Sequence, residues 1–287
     1  VNQSLHFLCR SASPTVPGFS SSSRGARGSR AAGTLATMSV STPLLYVFAI
    51  SHYCEKARWA LDYLGIDYQP RFVAPGEHRQ LAKKLGARHS YVPYLTADEQ
   101  LVQGSANIID WADDATPDPD KRLTPVGDRE QCVEIEKRID DIAGVHVRRL
   151  YYSEALVEYP ETVRPFFTRD LPLPKKLLTS IAWGQIRKMM IAGMDLGSAQ
   201  RQESREIVER ELDWVDRLLA DGRNTLLGSR FSRADIAVAS LLSPLVLPAK
   251  HPTYNMMQHP PKLAEDLARW AERPSLQWVS EIYDTYR

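Results

Sequence analysis

Acid is what the start of this chain lacks: no Asp or Glu precedes Glu55, while Arg10, Arg24, Arg27, Arg30 and the run Ser20 to Ser23 all fall within the first 41 residues. A Ser- and Arg-rich stretch without acids and without a single apolar h-region has the composition of a mitochondrial or plastid transit peptide, not of a secretory signal. The chain also opens on Val1, and Met38 offers a second start, so an untranslated or vector-derived stretch fits equally well. Residues 1–41 are therefore set apart as a disordered or targeting extension. The expected location is cytoplasmic, or mitochondrial or plastid if residues 1–37 are a genuine transit peptide.

Other absences narrow the class. Without those four arginines the 36 basic and 35 acidic residues become 32 against 35, a formal balance of −3, which leaves no electrostatic footprint for nucleic acid. Three cysteines, Cys9, Cys54 and Cys132, are odd in number and far apart, which excludes a disulfide framework and points to a reducing compartment. None of the seven histidines pairs at ligand spacing with cysteines or acids, so no metal is expected. Apolar stretches such as Ile236 to Leu247 contain Ala and Ser and stop well short of the roughly 20 residues that span a bilayer, so no membrane span is expected. No internal repeat is found at a fixed period. A length of 287 residues favours two domains.

What is present has an order. Leu44 to Ile50 is an apolar run suited to a buried strand, and Cys54 to Leu64 repeats Ala57, Ala60, Leu61 and Leu64 at helical spacing before Gly65. Asp67 to Val73 reads as a strand that Pro70 places at an edge, and His78 to Leu85 as a short helix stopped by Gly86. Tyr91 to Thr96 and Gln100 to Val102 form a hairpin about Ala97-Asp98-Glu99, and Ser105, a candidate N-cap, starts a helix to Ala112. This α/β domain with a mixed sheet occupies residues 42–114. Pro117 and Pro119 break any regular element in a linker over 115–127. Residues 128–287 then read as helices: Arg129 to Tyr152, a passage interrupted by Pro160, Pro165, Pro172 and Pro174, then Lys175 to Met194, Gln200 to Leu219, Ala234 to Leu242, Lys262 to Glu272 and Ser275 to Tyr286. Strands followed by helices imply an α/β domain and then an all-α domain.

The candidate chemistry lies at Ser51-His52-Tyr53-Cys54, where the first strand stops and the first helix begins. The first N–H groups of a helix lack intrahelical partners and its dipole is positive there, so a thiolate or another anion is stabilised. An ordinary N-cap serine and a small buried cysteine would look the same, and both readings stand at this level.

Four segments in order carry a resemblance. They are Ser51-His52-Tyr53-Cys54 with Glu55 to Leu61 and the ending Gly65-Ile66-Asp67-Tyr68; Val92-Pro93-Tyr94-Leu95; Ser105-Ala106-Asn107-Ile108; and Phe231-Ser232-Arg233-Ala234-Asp235-Ile236-Ala237. Together they resemble the cytosolic glutathione S-transferase superfamily over residues 43–287, which implies a thioredoxin-like α/β domain with a mixed four-stranded sheet followed by an all-α helical bundle. Ser232 and Asp235 read as a capping box with no chemistry of their own.

The resemblance implies a glutathione transferase of the detoxification type, with glutathione as co-substrate, no metal, a hydrophobic electrophile and a homodimer. Ser51 takes the catalytic position, where it would donate a hydrogen bond to the glutathione sulfur. Val92, before a cis Pro93, would pair with the cysteinyl backbone, and Ser105 would bind the γ-glutamyl carboxylate or serve only as a cap. Cys54 stands at the second position of a Cys-x-x-Cys pattern whose first position is serine, so an internal dithiol cycle is excluded. A glutathione-dependent thioltransferase or dehydroascorbate reductase using Cys54 is one alternative, and a non-catalytic binding protein of the same fold is another. His52 and Tyr53 would line the mouth, and Val145 to Tyr152, with Tyr151 and Tyr152, the acceptor wall. The family pattern is broken at Gly104, where an acid usually holds the glutathione amino group, at Tyr91, where lysine is common, and at Ser90. Gln103, Lys84, Arg88 or a partner subunit would have to compensate.

Overall fold

The computed structural model describes residues 41–228 and 230–287. Apart from Ser41, the expected N-terminal extension lies outside the described residues, as do Cys9 and the compartment that the extension would specify.

A four-stranded sheet in the order β2-β1-β3-β4 forms the first domain, with β1 (Leu44–Val47), β2 (Gln69–Phe72), β3 (Tyr94–Ala97) and β4 (Gln100–Gln103). The strands β1 and β2 are parallel, and β3 is antiparallel to both β1 and β4, with Leu45 opposite Leu95 and Leu95 opposite Val102. Leu45, Val47, Tyr94 and Leu95 are fully buried in the central strands. Pro70 sits on the edge strand β2, where its missing N–H costs no ladder bond. The strand expected from Tyr91 begins only at Tyr94, after a cis Val92–Pro93 step.

Helices α1 (His52–Tyr63) and α3 (Ser105–Ala115) pack together, and α2 (Glu77–Leu85) follows β2. The linker is ordered: it contains a short 3-10 turn (Pro119–Lys121), and the buried Asp113 carboxylate accepts the N–H groups of Leu123 and Thr124 at 2.7 and 3.0 Å.

The second domain is helical: α4 (Arg129–Arg138), α5 (Gly144–Ala155), α6 (Pro160–Thr168), α7 (Leu173–Ile181), α8 (Trp183–Met194), α9 (Ser198–Leu218), α10 (Arg233–Val246), α11 (Pro261–Trp270) and α12 (Pro274–Tyr286). Three helical expectations need correction. A π-helical turn (Ile139–Ala143) interrupts the helix expected from Arg129 to Tyr152. The helix expected from Lys175 to Met194 divides at Ala182 into α7 and α8. The proline-interrupted passage contains the helix α6, with Pro160 at a first-turn position where no donor is missed.

Helix α10 is the centre of the bundle. It packs on α1, α4, α5 and α12, and Ala234 to Leu245 are buried on every face, which explains why this segment reads as apolar all round. Its start is the expected capping box. The Asp235 carboxylate accepts the Ser232 N–H and hydroxyl, both at 2.8 Å, and also the Leu226 N–H at 2.7 Å, so it fastens a neighbouring loop as well. Burial pushes that carboxyl up to about 6.

Apolar and ionic contacts join the domains. Trp59 of α1 is fully buried against Phe231 and Tyr283, and its indole N–H donates to the Tyr286 carbonyl at 3.1 Å. Lys56, also of α1 and fully buried, reaches Glu136 at 2.7 Å and Asp140 at 2.6 Å, while Arg233 of α10 bridges Glu136 to Asp110 of α3. Among the described residues no helix is long and apolar enough to cross a membrane.

Candidate active site

The loops at the ends of β1, β2 and β4 face α5, α6 and α8 across a cleft of about 770 Å³. Ser51 lies on its floor as the N-cap of α1, and its Oγ accepts the Cys54 N–H at 3.3 Å. Oγ thus completes the helix start from the cleft side, next to the Cys54 thiol. The N–H groups of His52 and Tyr53, in the first turn, have no intrahelical acceptor, so the end of α1 presents donors and a positive dipole to the cleft.

The helical domain fixes this loop. Thr253 Oγ1 donates to the Ala49 carbonyl at 2.9 Å and the Tyr254 hydroxyl to the Ile50 carbonyl at 2.7 Å. Tyr254 stacks on His251 at 3.7 Å, and His251 Nδ1 accepts the N–H groups of Thr253 and Tyr254 at 3.1 and 2.9 Å. Sequence reasoning missed this brace. Its partners are separated by 204 residues, and no local pattern announces it.

The residues after Ser51 do not all face the cleft. Cys54 is 1% exposed, packed in the sheet domain's core and absent from the cleft lining. Burial pushes its thiol up to about 11, so it stays protonated and unreactive at neutral pH. The candidate role for Cys54 is corrected accordingly. Tyr53 reaches the lining, but its hydroxyl donates to the Asp140 carbonyl at 2.6 Å, which corrects it from a candidate ligand group to a tie between α1 and the π-helical turn. Gly144 permits that approach, because a β-carbon there would lie 2.7 Å from the Tyr53 oxygen and 2.8 Å from Leu241 Cδ1. His52 is buried at the inner edge; burial first, then the charge of Arg148, lowers its pKa to about 3 and keeps it neutral.

On the sheet side Val92, Pro93, Gln103 and Ser105 all border the cleft, as their sequence positions suggested. Among the described residues neither the N–H nor the carbonyl of Val92 has a backbone partner, while the Pro93 carbonyl accepts the Gly104 N–H at 3.0 Å. Ser105 is not the N-cap expected: Gly104 is, at φ 90°, in a region that side chains avoid, and this requirement accounts for glycine at the position of the usual acid. Ser105 is the first helical residue, 5% exposed, and its N–H has no intrahelical acceptor. Gln103 is engaged as well: its amide oxygen accepts the His89 N–H at 3.2 Å and its Nε2 donates to the His89 and Tyr91 carbonyls at 2.6 and 3.3 Å, so both of its N–H groups brace the loop before Val92 while the oxygen keeps a second lone pair. Asn107, which the sequence did not single out, lines the cleft beside Ser105 and donates from Nδ2 to the Gln103 carbonyl at 2.8 Å, leaving Oδ1 as an acceptor. Lys84 and Arg88 do not border the cleft, whereas Arg79 and Arg148 do.

The helical wall is apolar. Val145, Arg148 and Tyr152 recur at helical spacing on one face of α5, and Phe167, Ile186, Met189, Met190 and Met194 complete it from α6 and α8. Tyr152 thus takes the place expected of it. Tyr151 is buried behind the wall beside Pro244 and Tyr254, and does not face the cleft.

A family model for the N-terminal domain of glutathione S-transferase matches residues 45–120, and one for the C-terminal domain matches residues 198–273. The two span more than half of the chain, which belongs to the glutathione S-transferase superfamily. No curated protein matches the chain at a significant level. Among solved structures, a glutathione transferase from Phanerochaete chrysosporium is 17% identical with TM-score 0.58, covering 87% of this chain and 98% of its own. A glutathione S-transferase from Ceriporiopsis subvermispora in complex with glutathione is 15% identical with TM-score 0.54, covering 86% and 98%. A glutathione transferase from Burkholderia graminis, with two glutathione molecules bound per subunit, is 16% identical with TM-score 0.55, covering 85% and 84%. At these identities the likeness is one of fold: a thioredoxin-like domain with a mixed four-stranded sheet, followed by a helical domain.

Proposed function

We propose that this protein is a glutathione transferase that stabilises the glutathione thiolate through Ser51 for attack on a hydrophobic electrophile. One observation carries this reading: Ser51 Oγ caps α1 with a lone pair and opens on the cleft that the apolar wall closes. The hydroxyl donates to the sulfur, and the α1 dipole supplies the field that a neutral hydroxyl lacks. The unpaired backbone groups of Val92 aligned beside Pro93 suit the cysteinyl peptide. Ser105 and the start of α3 suit the γ-glutamyl carboxylate. Asn107 Oδ1, next to Ser105, and the remaining lone pair of Gln103 Oε1 are the side-chain acceptors on this side for the amino group. In the reaction the sulfur forms a bond to the electrophilic carbon, and the displaced group leaves with its electron pair.

Removing the hydroxyl in Ser51→Ala takes away a charge-assisted bond worth about 1.5–3 kcal/mol, so the bound thiol pKa is expected to rise by about 1–2 units and turnover to fall roughly ten- to a hundredfold. Thiolate ultraviolet absorbance against pH, with steady-state conjugation of an activated aryl halide, reads both. Cys54→Ser is expected to retain turnover. If Cys54→Ser abolished activity and Ser51→Ala did not, the thioltransferase reading would replace this one. Absence of heat on titrating millimolar glutathione would leave the binding-protein reading.

A further inference from the structure

The charges around the cleft are not balanced. Four charged side chains border it: Asp140, Asp141, Arg79 and Arg148. The Asp140 carboxylate is held by Lys56 Nζ at 2.6 and 2.7 Å, and Asp141 pairs with Lys137. Both acids are thereby neutralised by cations that point away from the lumen. Arg79 stands exposed on the rim by α2, on the sheet side.

Arg148 is different. It lies on α5 between Val145 and Tyr152, on the helical wall facing Phe167 and Met190, and reaches past His52 toward the small void behind Tyr152. Among the described residues it makes no ion pair and no hydrogen bond, and its Nε is buried without an acceptor. Other arginines of the helical domain show what is missing. Arg149, the next residue, binds Glu203 at 2.7 Å and Asp195; Arg138 holds Glu211 with two bonds; and Arg187 donates to the Leu156 and Val157 carbonyls. A half-buried guanidinium without an anion is unfavourable, and His52, which borders the same cleft and feels its charge, is held neutral and supplies no counter-charge. A planar guanidinium set in an apolar wall is the geometry that receives a carboxylate in two parallel hydrogen bonds.

We propose that Arg148 is a specificity-determining residue that selects carboxylate-bearing acceptors. The second substrate is then an amphipathic organic acid whose apolar electrophilic body lies against Phe167, Met190 and Tyr152 and whose carboxylate meets Arg148. This inference rests on the reading of the cleft as a glutathione transferase site. The carboxylate is the acceptor's and not glutathione's glycyl group, because Arg148 sits on the helical wall, across the cleft from Val92 and Ser105.

The test uses a matched pair of acceptors, a chloronitrobenzoate and the corresponding chloronitrobenzamide, which differ in charge at nearly equal size. In each case the glutathione sulfur bonds to the chlorine-bearing carbon, and chloride leaves with the carbon–chlorine electron pair. The acid-to-amide ratio of kcat/KM in the full chain is expected to exceed the ratio of the uncatalysed reactions with glutathione, a comparison that cancels the stronger activation of the ring by the amide. In Arg148→Met, which keeps the stem and removes the charge, the acid-to-amide ratio is expected to fall about tenfold or more, and Arg148→Lys to recover part of it. Glutathione affinity by calorimetry is not expected to follow that ratio. An unchanged ratio overturns the proposal. So does a fall in glutathione affinity by the same factor, which would assign Arg148 to the tripeptide. Calorimetric binding of unreactive nitrobenzoate without glutathione separates the two levels. Equal binding by the full chain and Arg148→Met sinks the inference, whatever glutathione does. Nitrobenzoate binding that depends on Arg148 in a protein that ignores glutathione sinks the transferase reading and leaves the carboxylate site standing.

Discussion

Replacing Tyr254 with phenylalanine removes one oxygen and leaves the ring that stacks on His251, so it isolates the hydroxyl bond to the Ile50 carbonyl at 2.7 Å. Ile50 is 3% exposed, and water cannot readily take over its carbonyl. A buried acceptor left without a partner costs about 1–3 kcal/mol. For a chain of this size each kcal/mol moves the melting midpoint by about 2–4 °C, so Tyr254→Phe is expected to lower it by roughly 2–12 °C. The same change loosens the residue directly before Ser51. If the hydroxyl at 51 loses half of its bond to sulfur, from a starting value of about 1.5–3 kcal/mol, the bound thiol pKa rises by about half a unit to one unit. Urea or thermal unfolding gives the first quantity, and thiolate absorbance against pH the second. An unchanged melting midpoint would refute the hydrogen-bond argument. A lower midpoint with an unmoved thiol pKa would refute the claim that the helical domain sets the position of Ser51.

Two further perturbations test the interior. Lys56→Met leaves Glu136 paired with Arg233 but strips the Asp140 carboxylate of its cation, at an expected cost of about 3–5 kcal/mol in urea unfolding, and adding Asp140→Asn is expected to recover part of the loss. Additive losses would mean that the pair is not coupled. His52 has a folded pKa lowered from 6.5 to about 3, so below pH 6.5 the unfolded chain binds a proton that the native state refuses. Its contribution to stability is therefore complete above pH 6.5 and is lost as the pH falls toward 3, by about 1.4 kcal/mol per unit within that window. Asp235, raised to about 6, works in the opposite sense, so the comparison must be with His52→Asn and not with the wild type alone. Between pH 7 and 5 the variant is expected to lose less stability than the parent, by about 2 kcal/mol. Parallel pH profiles would sink the assignment.

Features set by neighbours in the chain were legible. The run Leu44 to Ile50 with its helix start, the Val92–Pro93 step and the Ser232–Asp235 cap each need only a few adjacent residues, and the structure contains all three. The element ends shifted where a local rule met a conformational demand. Gly104, at φ 90°, became the cap in place of Ser105. What stayed hidden was assembled from distant segments. Nothing near Gln103 shows that its amide is already engaged by His89 and Tyr91, because those partners arrive through the hairpin. The spacing of Val145, Arg148 and Tyr152 marks one helix face, but only the packing of both α5 and α1 on α10 brings that face to the cleft that holds Ser51. Tyr254 and Arg148 carry no motif: one acts through a single oxygen on a backbone carbonyl, and the other stands out by lacking partners that neighbouring arginines possess.

The wide turn at Ile139–Ala143 acts as a phase shifter for everything that follows it. An α-helix advances by about 100° per residue, and a turn closed by i→i+5 bonds takes up one extra residue without that rotation. Were the turn to close into regular α-helix with all its residues kept, Val145, Arg148 and Tyr152 would swing off the cleft by about that angle, although composition and spacing remained intact. When relatives are aligned with this chain, a one-residue gap inside this turn is thus compatible with the same wall, whereas a regular helix of equal length there is not.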